Sequence, residues 1–193
     1  MSLKTIKQVL GGLSLLACTS AMAGTLTVDI SNVDSDGLFR NPGNSVLNYN
    51  VGANSFITSV SYWINITAFN PSRLSEMGVA ITNSKVTEGL LLNPADIYTV
   101  SGTGTFSDTL DLVFEDLSFE VGVDGILRLE FYEDFNDARI DPDGRWNFGT
   151  ITFGFEEFED PAQVPEPASA LLLASGIAAL GVARRRRAGH VTN

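Results

Sequence analysis

Apolar and polar residues alternate through most of the chain between Gly24 and Phe155. In the clearest runs every second residue is apolar: Leu26–Ile30, Val60–Ala68, Met77–Ile81, Leu127–Phe131 and Trp146–Phe155. A period of two is typical of strands that bury one face. Turn-forming pairs separate the runs: Asp36-Gly37, Asn70-Pro71, Asn93-Pro94, Asp124-Gly125 and Asp143-Gly144. No run has a helical period, so the pattern predicts about nine strands in an all-β, antiparallel sandwich of the jelly-roll type over residues 24–155.

The same alternation predicts where the aromatic side chains point. Trp146 and Phe148 share one register, and the apolar residues from Ile151 onward follow the other, so we expect a β-bulge at Gly149 and a buried face that carries both aromatics. Trp63 falls opposite the apolar positions of its strand. It is therefore the better candidate for an exposed aromatic side chain that stacks on a sugar ring. The pair Asp124-Gly125 predicts a tight hairpin between residues 119–123 and 126–129.

The first 23 residues have the order of a secretory signal peptide. Lys4 and Lys7 precede an apolar run, Val9–Ala17, and small residues stand at Ala21 and Ala23. This order predicts cleavage by signal peptidase after Ala23. Two alternatives stay open: a buried N-terminal helix, and lipidation at Cys18, the only cysteine of the chain.

The C-terminal region carries a second targeting pattern. Residues 168–183 form a 16-residue stretch without charge, followed directly by Arg184, Arg185, Arg186 and Arg187. A helix of this length spans roughly 24 Å, so it predicts a transmembrane segment that keeps the basic tail, residues 184–193, in the cytoplasm. A buried C-terminal helix of the folded domain is the alternative. Residues 156–167 form an acidic, proline-containing linker that ends in Val164-Pro165-Glu166-Pro167, an extended and accessible peptide.

These three features, in this order, resemble the PEP-CTERM sorting signal of Gram-negative bacteria that make exopolysaccharide. The resemblance covers Val164–Arg187. It implies that an exosortase, a membrane cysteine transpeptidase, recognises the chain and cleaves it close to Pro165-Glu166-Pro167. The chain would then pass through an inner-membrane intermediate to the cell surface or the extracellular space. The order of strands from Phe56 to Phe155 also resembles the jelly-roll domains of the galactose-binding and convertase P-domain kind.

Charge and composition remove several classes of function. The chain of 193 residues carries a net charge of −11. Between Gly24 and Val164 it has six Lys and Arg against 22 Asp and Glu, a net charge of −16. Nucleic-acid binding depends on cationic side chains, so a nucleic-acid partner is excluded. The only histidine is His190, so the exported body can form no Ser-His-Asp or Cys-His nucleophile and no histidine-based zinc site.

One acidic segment is a candidate metal site. Five acidic residues, Glu133 among them, fall within eleven positions before Gly144, and four are candidate calcium ligands: Asp134, Asp137, Asp141 and Asp143. Oxygen ligands on a flexible turn suit calcium, and neighbouring carboxylates repel one another unless they are neutralised. The alternative is a solvated acidic loop, in which Arg139 and Arg145 neutralise part of the charge.

The sequence therefore favours an exported, non-enzymatic protein of the cell surface or extracellular matrix, whose β-domain contacts exopolysaccharide. One alternative is a small extracellular glycoside hydrolase that uses two carboxylates. Another is a surface domain that keeps its membrane helix uncleaved.

Overall fold

The computed structural model describes residues 21–137 and 139–158, without the side chains of Ala21, Met22 and Phe158. The chain divides into two compact units, and Ala21–Phe158 is the unit described here. Most of the predicted signal peptide, the end of the linker with its sorting motif, the predicted transmembrane helix and the basic tail lie outside the described residues. Among the residues that are described, none belongs to a helix long and apolar enough to cross a membrane.

Ten strands make up the described unit: β1 (Ala21–Asp29), β2 (Val33–Ser35), β3 (Ser45–Asn50), β4 (Phe56–Ala68), β5 (Met77–Asn83), β6 (Gly89–Leu92), β7 (Gly102–Asp111), β8 (Phe119–Glu120), β9 (Ile126–Glu133) and β10 (Gly144–Phe158). The helical content of this unit is one short 3-10 turn, Leu74–Glu76. Strand β1 begins at Ala21, so the predicted signal-peptidase positions Ala21 and Ala23 pair here with Phe158 and Glu156 of β10.

The strands form two antiparallel sheets. In the large sheet the order is β1-β10-β4-β7, with β2 also paired to β10 and β8 also paired to β4. In the small sheet the order is β3-β9-β5-β6. The described unit is therefore all-β and antiparallel, and this part of the predicted fold is confirmed.

The hydrophobic core lies between the two sheets. The inward positions of the two longest strands, β4 and β10, supply isoleucine and aromatic side chains that are almost fully buried: Ile57, Ile64, Ile66, Trp146, Ile151 and Phe153. From the small sheet, Phe131 contacts Trp146 edge to face, with 5.0 Å between ring centroids. Burial of such side chains contributes roughly 1.5–3 kcal/mol each, so the core depends on these two strands more than on the turns.

Part of the outer face of the small sheet is covered by the connection between β2 and β3. Glu130 of β9 is fully buried on that face and forms an ion pair with Arg128 at 2.6 Å. The covering connection supplies two further donors to the carboxylate of Glu130, the Arg40 backbone N–H at 2.6 Å and Asn44 Nδ2 at 2.8 Å. By contrast, the outward positions of the large sheet remain exposed or half-buried along β4, β7 and β10.

The β-bulge in β10 lies earlier than the sequence predicts. Trp146 pairs with Ile66 and Phe148 pairs with Asn65, so Asn147 is the extra residue. The bulge reverses the side-chain alternation, and the prediction that Trp146 and Phe148 share a buried face is wrong. Trp146 is 0% exposed, whereas Phe148 is 45% exposed on the outer face.

The predicted hairpin at Asp124-Gly125 is also wrong. Strand β8 pairs with β4 in the large sheet, and strand β9 pairs with β3 and β5 in the small sheet. The turn between β8 and β9 therefore carries the chain from one sheet to the other. Gly125 retains its role there, with φ of +68° and its N–H donated to the Gly122 carbonyl.

Gly149 allows β10 to lie close to the backbone of Trp63. Its φ is +141°, and a Cβ at this position would lie 2.3 Å from the Trp63 carbonyl oxygen. We predict that Gly149→Ala lowers the free energy of unfolding by about 2–4 kcal/mol, because backbone strain and a steric clash add. Urea denaturation measures the change.

Gly102→Ala is the matched control, because Gly102 has φ of +123° but no atom lies within 4 Å of its Cβ position. This variant should lose about 1–2 kcal/mol from strain alone. Equal losses in the two variants would contradict the proposed clash at Gly149.

Candidate functional site

Small polar side chains occupy the outer face of the large sheet. Side chains alternate along each strand, so the outward positions of β1, β10, β4 and β7 form rows across the sheet. The strand register gives three such rows: Thr27-Thr152-Ser61-Thr109, Asp29-Thr150-Trp63-Ser107, and Phe148-Asn65-Thr105. We call the residues of these three rows the outer face. It is a surface of hydroxyls and amides with two aromatic side chains near its centre.

The two aromatic side chains of the outer face contact each other. Trp63 is 53% exposed, as its position in the alternation predicts, and its ring centroid lies 5.7 Å from that of Phe148. The two rings are tilted by 44°. The sequence pattern did not predict this contact, because the bulge at Asn147 turns Phe148 outward. An exposed pair of this kind offers apolar area that a ligand can cover.

The polar side chains around Phe148 are bonded to one another. Asn65 donates to Thr105 Oγ1 at 2.8 Å, and Asn147 donates to Asn65 Oδ1 at the same distance. Thr67 and Thr103, one step further along their strands, share a hydrogen bond of 2.7 Å. These contacts fix the side chains on this side of Trp63 and use their hydrogen-bonding capacity.

On the other side of Trp63 lies a groove of about 410 Å³. We call it the Trp63 groove, and its lining residues are Ser61, Tyr62, Trp63, Ser107, Asp108, Thr109, Thr150 and Thr152. The hydroxyl of Thr152 shares a hydrogen bond of 3.0 Å with Thr27. Within the described part of the chain, four hydroxyls of the groove have no hydrogen-bond partner: those of Ser61, Ser107, Thr109 and Thr150. Each can donate one hydrogen bond and accept others.

The chemistry of the Trp63 groove is that of a binding surface. An aromatic platform beside several free hydroxyls fits a ligand that has both an apolar face and many hydroxyl groups, as a sugar ring has. Asp108 is the only carboxylic acid among the lining residues. It pairs with Tyr62, so the alternation of β7 directs its side chain to the face opposite Trp63, and one of its oxygens accepts the Thr109 N–H at 2.7 Å. A pair of carboxylates flanking a scissile bond is not among the residues of this groove.

The predicted calcium ligands do not converge on one position. Asp134 accepts a hydrogen bond from Asn93 at 2.8 Å, whereas Asp143 is fully buried and accepts the Asp137 N–H at 3.0 Å. Asp141 lies against Asp36, outside the predicted set. Among residues 21–137 and 139–158, no group of three or more His, Cys, Asp or Glu side chains is arranged to hold a metal ion. Calcium binding at these four aspartates stays a prediction.

The acidic loop instead packs against buried carboxyl groups. Glu133 is fully buried at the end of β9, where one oxygen accepts a hydrogen bond from Ser35 and the other has no partner in the described unit. Burial, together with the nearby charges of Asp143 and Glu76, raises the pKa of Glu133 to about 8. Burial and its contact with Asp141 raise the pKa of Asp36 to about 6. Glu133 therefore keeps its proton throughout the range below pH 6, and Asp36 gains its proton as the pH falls through about 6.

These shifted groups predict that stability falls as the pH rises. Glu133 holds a proton in the folded state up to a pKa of about 8, whereas in the unfolded chain it loses that proton near pH 4.5. Its contribution is therefore complete below the unfolded pKa and disappears as the pH rises through the folded pKa. We predict that Glu133→Gln raises the free energy of unfolding at pH 8 by about 1–2 kcal/mol and flattens its decline between pH 5 and pH 8.

The free energy of unfolding of the unmodified protein and of Glu133→Gln is measured by denaturation at several values between pH 5 and pH 8, with and without a chelator. The chelator arm separates a metal effect from a proton effect, and the exposed Glu156→Gln is the control, which should follow the unmodified protein. A variant that is less stable than the unmodified protein at pH 8 would contradict the account of Glu133.

Solved structures show only distant likenesses to this chain. It is similar to dimeric latent PorU from Porphyromonas gingivalis, at 9% identity and a TM-score of 0.36, over 77% of this chain and 14% of that one. It is similar to tomato aspermy virus, at 12% identity and a TM-score of 0.27, over 80% and 86%. It is also similar to a family two carbohydrate esterase from Cellvibrio japonicus, at 14% identity and a TM-score of 0.22, over 72% and 35%. With all three TM-scores below 0.5, these likenesses do not bear on function.

Sequence comparison is informative at the C-terminus. No curated protein matches the chain. A family model described as the PEP-CTERM protein-sorting motif matches residues 163–187, which contain the segment Val164–Arg187 identified from the sequence. The motif implies processing by an exosortase and export to the cell surface in Gram-negative bacteria. The chain therefore carries a PEP-CTERM protein-sorting motif over residues 163–187.

Proposed function

We propose that this exosortase-sorted extracellular protein binds polysaccharide through the Trp63 groove and does so without catalysing a reaction. The observation that carries the proposal is Trp63 itself, 53% exposed beside a groove of about 410 Å³. A tryptophan this exposed at the centre of a sheet costs free energy in water unless a partner covers it.

The surroundings of Trp63 support a sugar ligand in particular. The free hydroxyls of Ser61, Ser107 and Thr150 lie in the same groove as the indole, so stacking and hydrogen bonding can act on one ring. The bonded side chains around Phe148 make the neighbouring surface rigid, which lowers the entropy lost on binding. Asp108 alone cannot serve as both general acid and general base.

Sorting and binding fit together in this proposal. The exosortase motif at residues 163–187 directs the chain out of the cell. We expect the predicted membrane segment, residues 168–183, to be removed at the inner membrane, which frees the domain to reach polysaccharide at the cell surface or in the matrix.

The first prediction tests binding. Trp63→Ala should weaken binding to a neutral polysaccharide by about tenfold or more, because it removes the stacking platform. Affinity electrophoresis through gels that contain glucan, mannan, galactan or xylan makes the measurement. Phe114→Ala is the matched control, since Phe114 is 84% exposed on the turn after β7 and should leave mobility unchanged.

Two results would count against this proposal. Mobility that is unaffected by every polymer, or equally affected in both variants, would contradict binding at Trp63. Release of new reducing ends from a retarding polymer would favour the glycoside hydrolase alternative.

The second prediction tests sorting. The intact mass of the protein exported by a cell that has an exosortase should correspond to a chain that ends close to Pro165-Glu166-Pro167 and lacks Arg184–Arg187. A mass that includes the arginines would contradict cleavage and favour the membrane-anchored alternative.

A further inference from the structure

We propose that the Trp63 groove selects uncharged polysaccharides and rejects polymers that carry carboxylate or sulfate groups. This inference rests on the proposed function, because it specifies the class of polymer that the same groove takes.

The cationic side chains of the described unit are engaged or placed away from the groove. Arg145, beside the outer face on β10, is held by Asp34 through two hydrogen bonds, of 2.6 Å from Nε and 3.2 Å from Nη2. Arg128 belongs to the small sheet and is paired with Glu130. The others lie in connections between strands: Arg40, Arg73, Lys85 and Arg139. No unpaired cation of the described residues therefore lies in the groove to receive an anionic group.

The charges that do lie near the groove are negative. Asp29 ends the row that contains Trp63, and hydrogen bonds from Ser31 lower the pKa of its carboxyl, which keeps it ionised. Asp111 lies at the end of β7, on the same face of the strand as Thr109 and Ser107. A uronate or sulfate on the polymer would meet these carboxylates in a body whose net charge is already −16 between Gly24 and Val164. Like charges at short range oppose binding most strongly at low salt.

The groups inside the groove suit neutral sugars. The hydroxyls of Ser61, Ser107, Thr109 and Thr150 can each reverse between donor and acceptor, as the hydroxyls of a sugar can. Recognition of a carboxylate or sulfate instead favours the fixed donors of an arginine or several backbone N–H groups. The groove therefore opposes anionic polymers in two ways: it lacks the fixed cationic donors that anions prefer, and the carboxylates near it repel them.

The test compares each neutral polysaccharide with its own carboxymethylated derivative, so that the backbone stays constant and only charge changes. The probes are glucan, mannan, galactan and xylan, and the measurement is affinity electrophoresis or calorimetry with the exported domain. We expect the neutral form to bind roughly tenfold more tightly than its derivative at low ionic strength, and the ratio to shrink as salt screens the charges.

A charge variant identifies the source of the discrimination. Asp29→Asn should bind the carboxymethylated derivative a few-fold more tightly and the neutral form unchanged, because only repulsion is removed. Glu88→Gln, in the connection between β5 and β6 of the small sheet, is the matched control and should change neither.

The outcomes separate this inference from the function on which it rests. Equal or tighter binding of the carboxymethylated form, still dependent on Trp63, would overturn the selectivity and leave polysaccharide binding intact. The absence of any Trp63-dependent binding in both series would overturn both.

Discussion

The pairing of β4 with β10, and the extra residue Asn147 within it, governs both faces of the large sheet. These two strands supply much of the buried apolar surface, and each lies between two other strands. The bulge at Asn147 turns Trp146 into the core, where it contacts Phe131, and turns Phe148 out against Trp63. One local irregularity therefore joins the packing that stabilises the domain to the aromatic pair on which the proposed binding depends. Gly149 allows β10 to lie this close to β4, since a side chain there would collide with the Trp63 backbone.

The two sheets differ in what covers them, and this difference supports the proposed binding surface on the large sheet. The connection between β2 and β3 covers part of the outer face of the small sheet, where it donates two hydrogen bonds to buried Glu130. No comparable connection satisfies the hydroxyls of Ser61, Ser107, Thr109 and Thr150 within the described unit. An exposed hydroxyl without a protein partner lowers the stability of the fold little, because water solvates it. These hydroxyls are therefore available to a ligand at little expense in folding free energy.

Much of this could be predicted from the sequence, because alternation and turn chemistry are local. The strand runs, the exposure of Trp63 and the sorting segment follow from residues close together in the chain. The position of the bulge does not, because it depends on how β10 aligns with β4, some 80 residues away. The predicted hairpin at Asp124-Gly125 is wrong for the same reason: pairing of β8 with the distant strand β4 overrides a favourable local turn. The contact of buried Glu133 with Ser35 joins residues 98 positions apart, so no local pattern of the acidic segment predicts it.

The central claim, that sugar covers Trp63, can be tested through tryptophan fluorescence. The chain has two tryptophans, Trp63 exposed and Trp146 buried, so an uncharged aqueous quencher such as acrylamide reports mainly on Trp63. The account predicts that a saturating neutral polysaccharide protects the quenchable fraction, and that Trp63→Phe has almost no quenchable fraction to protect. If the polysaccharide binds saturably but Trp63 is quenched as strongly as in the free protein, the claim that sugar covers Trp63 is contradicted.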